Sequence, residues 1–331
     1  MRRLNSFLFL LLLVGGGFVF MQNFEIEGLK QLRVRSKEPS STGNGLFGTT
    51  VSQTGAPPRA PGETIRIATF NVQVLGTAKI QKPIVMERLA NICRRFDVVA
   101  IQEIASADQD ILPLLIEKIN NSFGVAFDYI VGPRVGRNGQ LEQYGFVFNT
   151  ATIEANRGWI YSMNDPDDLL AREPLVASFR ARAAKPENAF TFSLVTIRTD
   201  SESLERELSV LDDALQVVRN DGFGEDDIIL LGDFGVNDRQ LGDLARTPGM
   251  SWAIAGVPTD TRGTMQLDNI LFSQQSTKEF AGRSGVFDFM REFNMTQMEA
   301  LEISDHLPVW AEFSIYEGGV PGRVANLPQQ P

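Results

Sequence analysis

The sequence predicts an α/β fold in four layers, two packed sheets flanked by helices, on three observations. Short apolar runs rich in β-branched and aromatic residues recur between Thr64 and Tyr316, and such runs read as buried strands. Amphipathic helical repeats separate only a few of them, so the strands must pair largely with one another and the helices must cover the outer faces. The chain has 331 residues, 43% of them hydrophobic and 22% charged, enough for one substantial core.

The expected strands are Ile65–Phe70, Val98–Ile101, Tyr144–Phe148, Phe190–Ile197, Ile228–Leu231, Leu267–Phe272 and Val309–Ile315. Val85, Leu89, Ile92 and Phe96 repeat at helical spacing, as do Leu204, Leu208, Leu211, Leu215 and Val218, which predicts one amphipathic helix in each segment. Between Tyr129 and Tyr144 the Asn138–Gly139 pair signals a hairpin, because both residues accept the positive φ of a tight turn.

Composition divides the chain into four segments. Residues 1–24 open with Arg2 and Arg3, run apolar from Phe7 to Met21 and turn polar at Gln22 and Asn23, the pattern of a signal anchor or signal peptide. No small-residue cleavage site follows, which favours a membrane anchor over residues 4–21. The positive charge ahead of the run places the rest outside the cytoplasm, on a periplasmic or extracellular face. Residues 25–63 read as a flexible linker, rich in Ser, Thr, Gly and Pro from Glu38 onward. Residues 64–316 form the folded domain, and the Gly- and Pro-rich residues 317–331 read as a disordered tail.

The formal charge is −10; residues 1–63, with seven basic against four acidic side chains, carry +3, which leaves −13 on the remaining 268. Such a domain cannot hold a polyanion by bulk electrostatics, which argues against a nucleic-acid module built on a basic face. A metal-dependent enzyme is not excluded, since its carboxylates would hold cations. Cys93 is the only cysteine, so no internal disulfide can form, and its apolar surroundings predict a packed thiol.

Polar residues cluster where the strands stop: Asn71, Gln102 and Glu103, Asp233, Asp268, and Ser304-Asp305-His306. Any one carboxylate after an apolar run is explained as the solvated end of a strand. Five such places together instead supply oxygen donors for a hard divalent cation next to the chain's single histidine.

Five segments carry a resemblance: Ile67-Ala-Thr-Phe-Asn71, Val99-Ala-Ile-Gln-Glu103, Leu230-Leu-Gly-Asp-Phe234, Leu267-Asp-Asn-Ile270 and Ile303-Ser-Asp-His-Leu-Pro-Val309. Together and in this order they resemble the motif set of the endonuclease/exonuclease/phosphatase superfamily. Gly136-Arg-Asn138, Glu142 with Tyr144, Arg172-Glu-Pro174, Phe287-Asp-Phe289 and Met298-Glu-Ala-Leu301 add similarity to its deoxyribonuclease I branch, whose sheets are mainly antiparallel.

That resemblance implies a hydrolase of phosphate esters using Mg2+, with Mn2+ or Ca2+ as alternatives, on DNA or another phosphodiester, and no obligate protein partner. Glu103 would be the principal metal ligand with Asn71 beside it, and Asp305 would complete the site. His306 would exchange a proton during hydrolysis, with Asp268 fixing its tautomer. Arg172 and Asn71 would hold substrate phosphate, and Asp233 would orient water.

Two positions depart from the family pattern. The strand Phe190–Ile197 should lead into a second catalytic histidine, where the chain has Arg198, and Gly-Asp-Phe should continue with asparagine, where it has Gly235. An arginine stays charged near neutral pH and can only stabilise negative charge. Glu142, which should pair with that histidine, is then expected to form an ion pair with Arg198. The expected enzyme is a slow DNA endonuclease. A phosphodiesterase or phosphatase on another substrate, or a catalytically attenuated binding protein, are the alternatives.

Overall fold

The computed structural model describes residues 63–319 except 107–109, 123, 125 and 138. The expected anchor, the linker up to residue 62 and residues 320–331 of the tail lie outside the described residues. Among the described residues no helix is long and apolar enough to cross a membrane.

Twelve strands form two six-stranded sheets. The first contains β1 (Thr64–Leu75), β2 (Val98–Ile104), β3 (Phe127–Val131), β4 (Gln143–Asn149), β11 (Phe280–Val286) and β12 (Val309–Ser314), in the order β11-β12-β1-β2-β4-β3. The second contains β5 (Ile153–Ser162), β6 (Leu175–Ala181), β7 (Thr191–Arg198), β8 (Ile228–Asp233), β9 (Met250–Trp252) and β10 (Asp268–Ser273), in the order β5-β6-β7-β8-β10-β9. All seven expected strands are present, and β3 and β4 form the expected hairpin.

Helices α1 (Thr77–Ile80), α2 (Pro83–Cys93) and α3 (Ile111–Asn120) follow strands of the first sheet, and α4 (Leu204–Leu208) and α5 (Leu211–Arg219) link β7 to β8. Helices α6 (Phe289–Glu292) and α7 (Gln297–Ile303) precede β12. Strand alternation explains the layering. In β8, Ile229 and Leu231 join the large core shared with the first sheet, while Ile228 and Leu230 join a second core with Leu208, Leu211 and Val218. Cys93 is buried in the large core, and burial pushes its thiol up to about 12, so it is packed and inert as expected.

The single helix expected over Leu204–Val218 is instead two. At the break the Ser209 hydroxyl donates to the Arg206 carbonyl at 2.7 Å, and Val210 N bonds back only three residues, to Glu207 O. A serine that competes for backbone carbonyls interrupts a helix in this way. The apolar spacing continues across the break because both pieces present the same face to the sheet.

Each sheet has one parallel pair near its centre, β1 with β2 and β7 with β8, and the other pairings are antiparallel. Registers Asn71↔Gln102 and Arg198↔Asp233 align the ends of those pairs, and Asp268 pairs with Asp233 at the start of β10. Gln102 ties the sheets together, its Nε2 donating to Thr69 Oγ1 at 3.0 Å and to Thr196 Oγ1 at 2.8 Å.

Candidate active site

The C-terminal ends of both parallel pairs open on one cleft. Asn71 stands where the register of β1 with β2 shifts; its Nδ2 donates to Glu103 Oε1 and to Asp233 Oδ2, each at 3.0 Å. One amide thus ties the two sheets at the site. Gly232 precedes Asp233 because β7 runs so close that a Cβ there would lie 2.0 Å from the Ile197 carbonyl oxygen, which only glycine avoids.

Glu103 has φ +62°, and Val74 and Gln73 facing it have φ +55° and +46°. These are left-handed values that cost a side-chain-bearing residue about 1–3 kcal/mol each and collect at functional sites. The strain turns Val74 N onto Glu103 Oε2 at 2.8 Å. Lys79 braces the same loop: its Nζ donates to the carbonyls of Val72 at 2.6 Å, of Gln73, and of Ile303 at 2.7 Å. Burial lowers its pKa to about 8 despite the nearby charges of Glu103 and Asp305.

His306 is 7% exposed, and its Nδ1 lies 2.8 Å from Asp268 Oδ2. A carboxylate can only accept, so Nδ1 carries a proton and Nε2 faces the cleft. Nε2 stands 3.9 Å from Asp233 Oδ2 and 3.8 Å from Asp305 Oδ1. Burial works against the imidazolium, but Asp268 by charge and hydrogen bond, then Asp233 and Asp305, outweigh it and raise the pKa to about 10. The Thr259 hydroxyl donates to Asp268 Oδ2 at 2.7 Å, and Ser304 Oγ accepts from His306 N at 3.0 Å while donating to Asn71 O at 2.6 Å. Ring, carboxylate and strand end are thereby fixed to one another.

Two guanidinium groups belong to the same cluster, Arg198 sharing Asp233 Oδ2 with the imidazole. Arg198 places Nη1 2.9 Å from Glu142 Oε2, Nη2 2.9 Å from Glu103 Oε1, and Nε 3.8 Å from Asp233 Oδ2. The expected Glu142–Arg198 ion pair is therefore present, and Arg198 extends it to two further acids. The Tyr144 hydroxyl accepts from Arg198 N at 3.0 Å and holds the backbone there. Arg172 Nε lies 3.1 Å from Glu142 Oε2. Burial pushes the Glu142 carboxyl up, with Arg198 and Arg172 working against that. Buried Nε and Nη1 of Arg172 and Nε of Arg198 make no well-aligned hydrogen bond and face Glu142, Asp200 and Asp233 as ion pairs at 3.1, 4.0 and 3.8 Å.

Asn71, Glu103, Glu142, Arg172, Arg198, Asp233, Asp268 and His306 thus converge, while Asp305, its side chain 43% exposed, stands at the rim beside the imidazole. Gly235 has φ +65° and offers the cleft no side chain, and its N donates to Asp233 Oδ1 at 3.0 Å. Sequence reasoning missed Lys79, Thr259 and Tyr144 as supports. Only Tyr144 had a signal, its spacing from Glu142.

Among the described residues Asp233, Asp268 and His306 offer ligand atoms within 4.8 Å of one another and could share a cation. The expected set Glu103, Asn71 and Asp305 is arranged differently. Glu103 Oε1 already takes Asn71 and Arg198, and Oε2 takes Val74 N. The Asn71 amide oxygen accepts from Gln73 N at 2.9 Å. An open shell of oxygen donors for an octahedral ion does not fit these contacts.

A family model described as the endonuclease/exonuclease/phosphatase family matches residues 68–306. Deoxyribonuclease-1-like 1 of Homo sapiens is 31% identical over 265 residues, covering 76% of this chain and 85% of the relative. Deoxyribonuclease gamma of Rattus norvegicus is 30% identical, over 74% and 83% of the two chains. A solved endonuclease/exonuclease/phosphatase structure from Bacteroides vulgatus superposes with a TM-score of 0.52 at 15% identity, over 76% of this chain and 99% of that one. The last is a likeness of fold.

Proposed function

Because the chain belongs to the endonuclease/exonuclease/phosphatase family, whose members hydrolyse phosphate esters, we propose that it is an endonuclease of the deoxyribonuclease I type acting on DNA. The observation that carries this reading is the His306–Asp268 pair, 2.8 Å apart, which shares Asp233 with the Arg198 guanidinium, at 3.9 Å from His306 Nε2 and 3.8 Å from Arg198 Nε. A proton donor beside a guanidinium suited to phosphate is what phosphodiester hydrolysis needs. The similarity to two deoxyribonucleases supports DNA as the substrate.

In this reading Arg198 and Arg172 hold the substrate phosphate and offset the charge that builds on it. Water attacks phosphorus, and Asp233, raised above the usual carboxylate range by burial and by Asp268, orients that water and accepts its proton. The bond to the leaving oxygen breaks as His306 Nε2 delivers a proton to it. Mg2+, Mn2+ or Ca2+ would be the family's source of additional positive charge, but the Glu103 carboxylate is engaged by Arg198, the Asn71 amide and Val74 N. The basic and then apolar N-terminus would deliver this activity to the outer face of a membrane.

The test is plasmid nicking by the full chain beside His306→Ala and Arg198→His. Nicking by the parent that His306→Ala removes supports the reading. A parent that leaves DNA intact while cleaving a small phosphodiester or phosphomonoester would move the substrate to another class.

A further inference from the structure

Position 198 carries a permanent charge where the family pattern has a titratable imidazole, and that charge is spent on the carboxylate expected to bind metal. An ionised carboxylate has about four acceptor directions. Arg198 Nη2, Asn71 Nδ2 and Val74 N take three of those on Glu103, and the same guanidinium spans to Glu142 and Asp233.

Glu103, Glu142, Asp200, Asp233, Asp268 and Asp305 face Lys79, Arg172, Arg198 and His306, six acids against four groups able to carry positive charge. Arg198 Nη2 lies 2.9 Å from Glu103 Oε1, and Lys79 interacts with the same carboxylate by charge. A doubly charged ion entering there would meet a guanidinium already in contact with its ligand.

We propose that Arg198 is a resident counter-ion that takes the place of a divalent cation at Glu103, so that the parent chain has no tight divalent site at this carboxylate. The guanidinium supplies one positive charge and planar donors for phosphate, where a metal would supply two charges and bound water. The inference builds on the proposed hydrolytic site, yet it is read by cation binding and not by cleavage of DNA.

Mn2+ binding to the full chain, followed by loss of the free-ion paramagnetic signal, tests it. At sub-millimolar concentration the parent is expected to bind no Mn2+ that Glu103→Gln removes. Arg198→Ala is expected to bind one Mn2+ at least about tenfold more tightly, the scale on which groups around a metal site set its affinity, and Glu103→Gln added to Arg198→Ala should abolish the gain. Thermal melts supply the second reading: MgCl2 should raise the midpoint of Arg198→Ala by more than that of the parent, and Glu103→Gln added to Arg198→Ala should cancel the difference. Tight Mn2+ binding by the parent that Glu103→Gln removes would overturn the proposal, and this arm needs no variant lacking the arginine. A folded Arg198→Ala that gains no Mn2+ would overturn it too. A parent that cleaves no DNA but shows the expected Mn2+ pattern would refute the substrate and keep the counter-ion.

Discussion

Asp268 Oδ2 receives both the Nδ1 proton of His306, at 2.8 Å, and the Thr259 hydroxyl, at 2.7 Å. The imidazole is therefore aimed by a carboxylate that is itself aimed. Asp268→Asn should lower the nicking rate by about 10²- to 10⁴-fold, the range for losing general acid/base catalysis. Thr259→Val removes the outer hydrogen bond, about 1 kcal/mol or roughly fivefold in rate, and also takes the acceptor of Leu267 N and Asp268 N, at 2.9 and 3.1 Å, which lowers stability. Steady-state rates of the two variants check the order, and a Thr259→Val loss as large as that of Asp268→Asn would contradict it.

Lys79 joins the last residues of β1 to the end of α7 through three carbonyls. Lys79→Met leaves those oxygens without a donor and should cost about 1–3 kcal/mol of stability, seen as a lower thermal midpoint. Assayed well below that midpoint, the variant should still nick DNA more slowly, because Glu103 and the Ser304–His306 segment lose their shared brace. Unchanged activity of the folded variant would reduce Lys79 to a purely structural clamp.

The strand Ile228–Leu231, which buries both faces, was legible as an unbroken apolar run, and Val309–Ile315 as an apolar run broken only by Glu312 and Ser314. The edge strand β5 was not, since its Glu154, Asn156, Arg157 and Gly158 are exposed and leave no period. β11 begins Phe-Ala-Gly-Arg-Ser-Gly, too broken to read as a strand. The site residues were legible from motifs at strand ends, and so was the pairing of Glu142 with Arg198. The reach of Arg198 to Glu103 was not, because it depends on the parallel alignment of β7 with β8 and the packing of one sheet on the other. Lys79 carried no motif, and its three carbonyl partners are set by loop conformation.

Gly235 stands where the family pattern has asparagine, and its φ of +65° is one that asparagine tolerates better than most residues. A Cβ there would meet Thr199 Oγ1 at 3.1 Å and Leu204 Cδ1 at 3.4 Å, contacts that a small shift of two side chains relieves. Gly235→Asn should therefore fold, losing less than about 1 kcal/mol, and its amide should lower the KM for DNA. Gly235→Val, β-branched at the same φ, should lose about 1–2 kcal/mol and gain nothing. Thermal melts and nicking kinetics of the pair separate backbone strain from the effect of the amide.

Asp227, 1% exposed just before β8, gives the fold a pH dependence of its own, far along the strand from the cleft. Burial, together with the charges of Glu279, Glu317 and Glu225, raises its carboxyl to about 8 from an ordinary 3.8, and the Thr277 hydroxyl only partly offsets this. Glu279 and Glu225 are raised in the same sense, burial again leading. Between those two pH values the folded chain holds a proton that the unfolded chain has released. Stability therefore falls as pH rises through that window. Asp227→Asn keeps the shape without the charge, so its thermal midpoint should match the parent near pH 4 and exceed it by a few degrees above pH 8. The gap should open steadily in between. A difference that stays constant across this range would mean that the residue acts through packing and that its charge is compensated in the folded state.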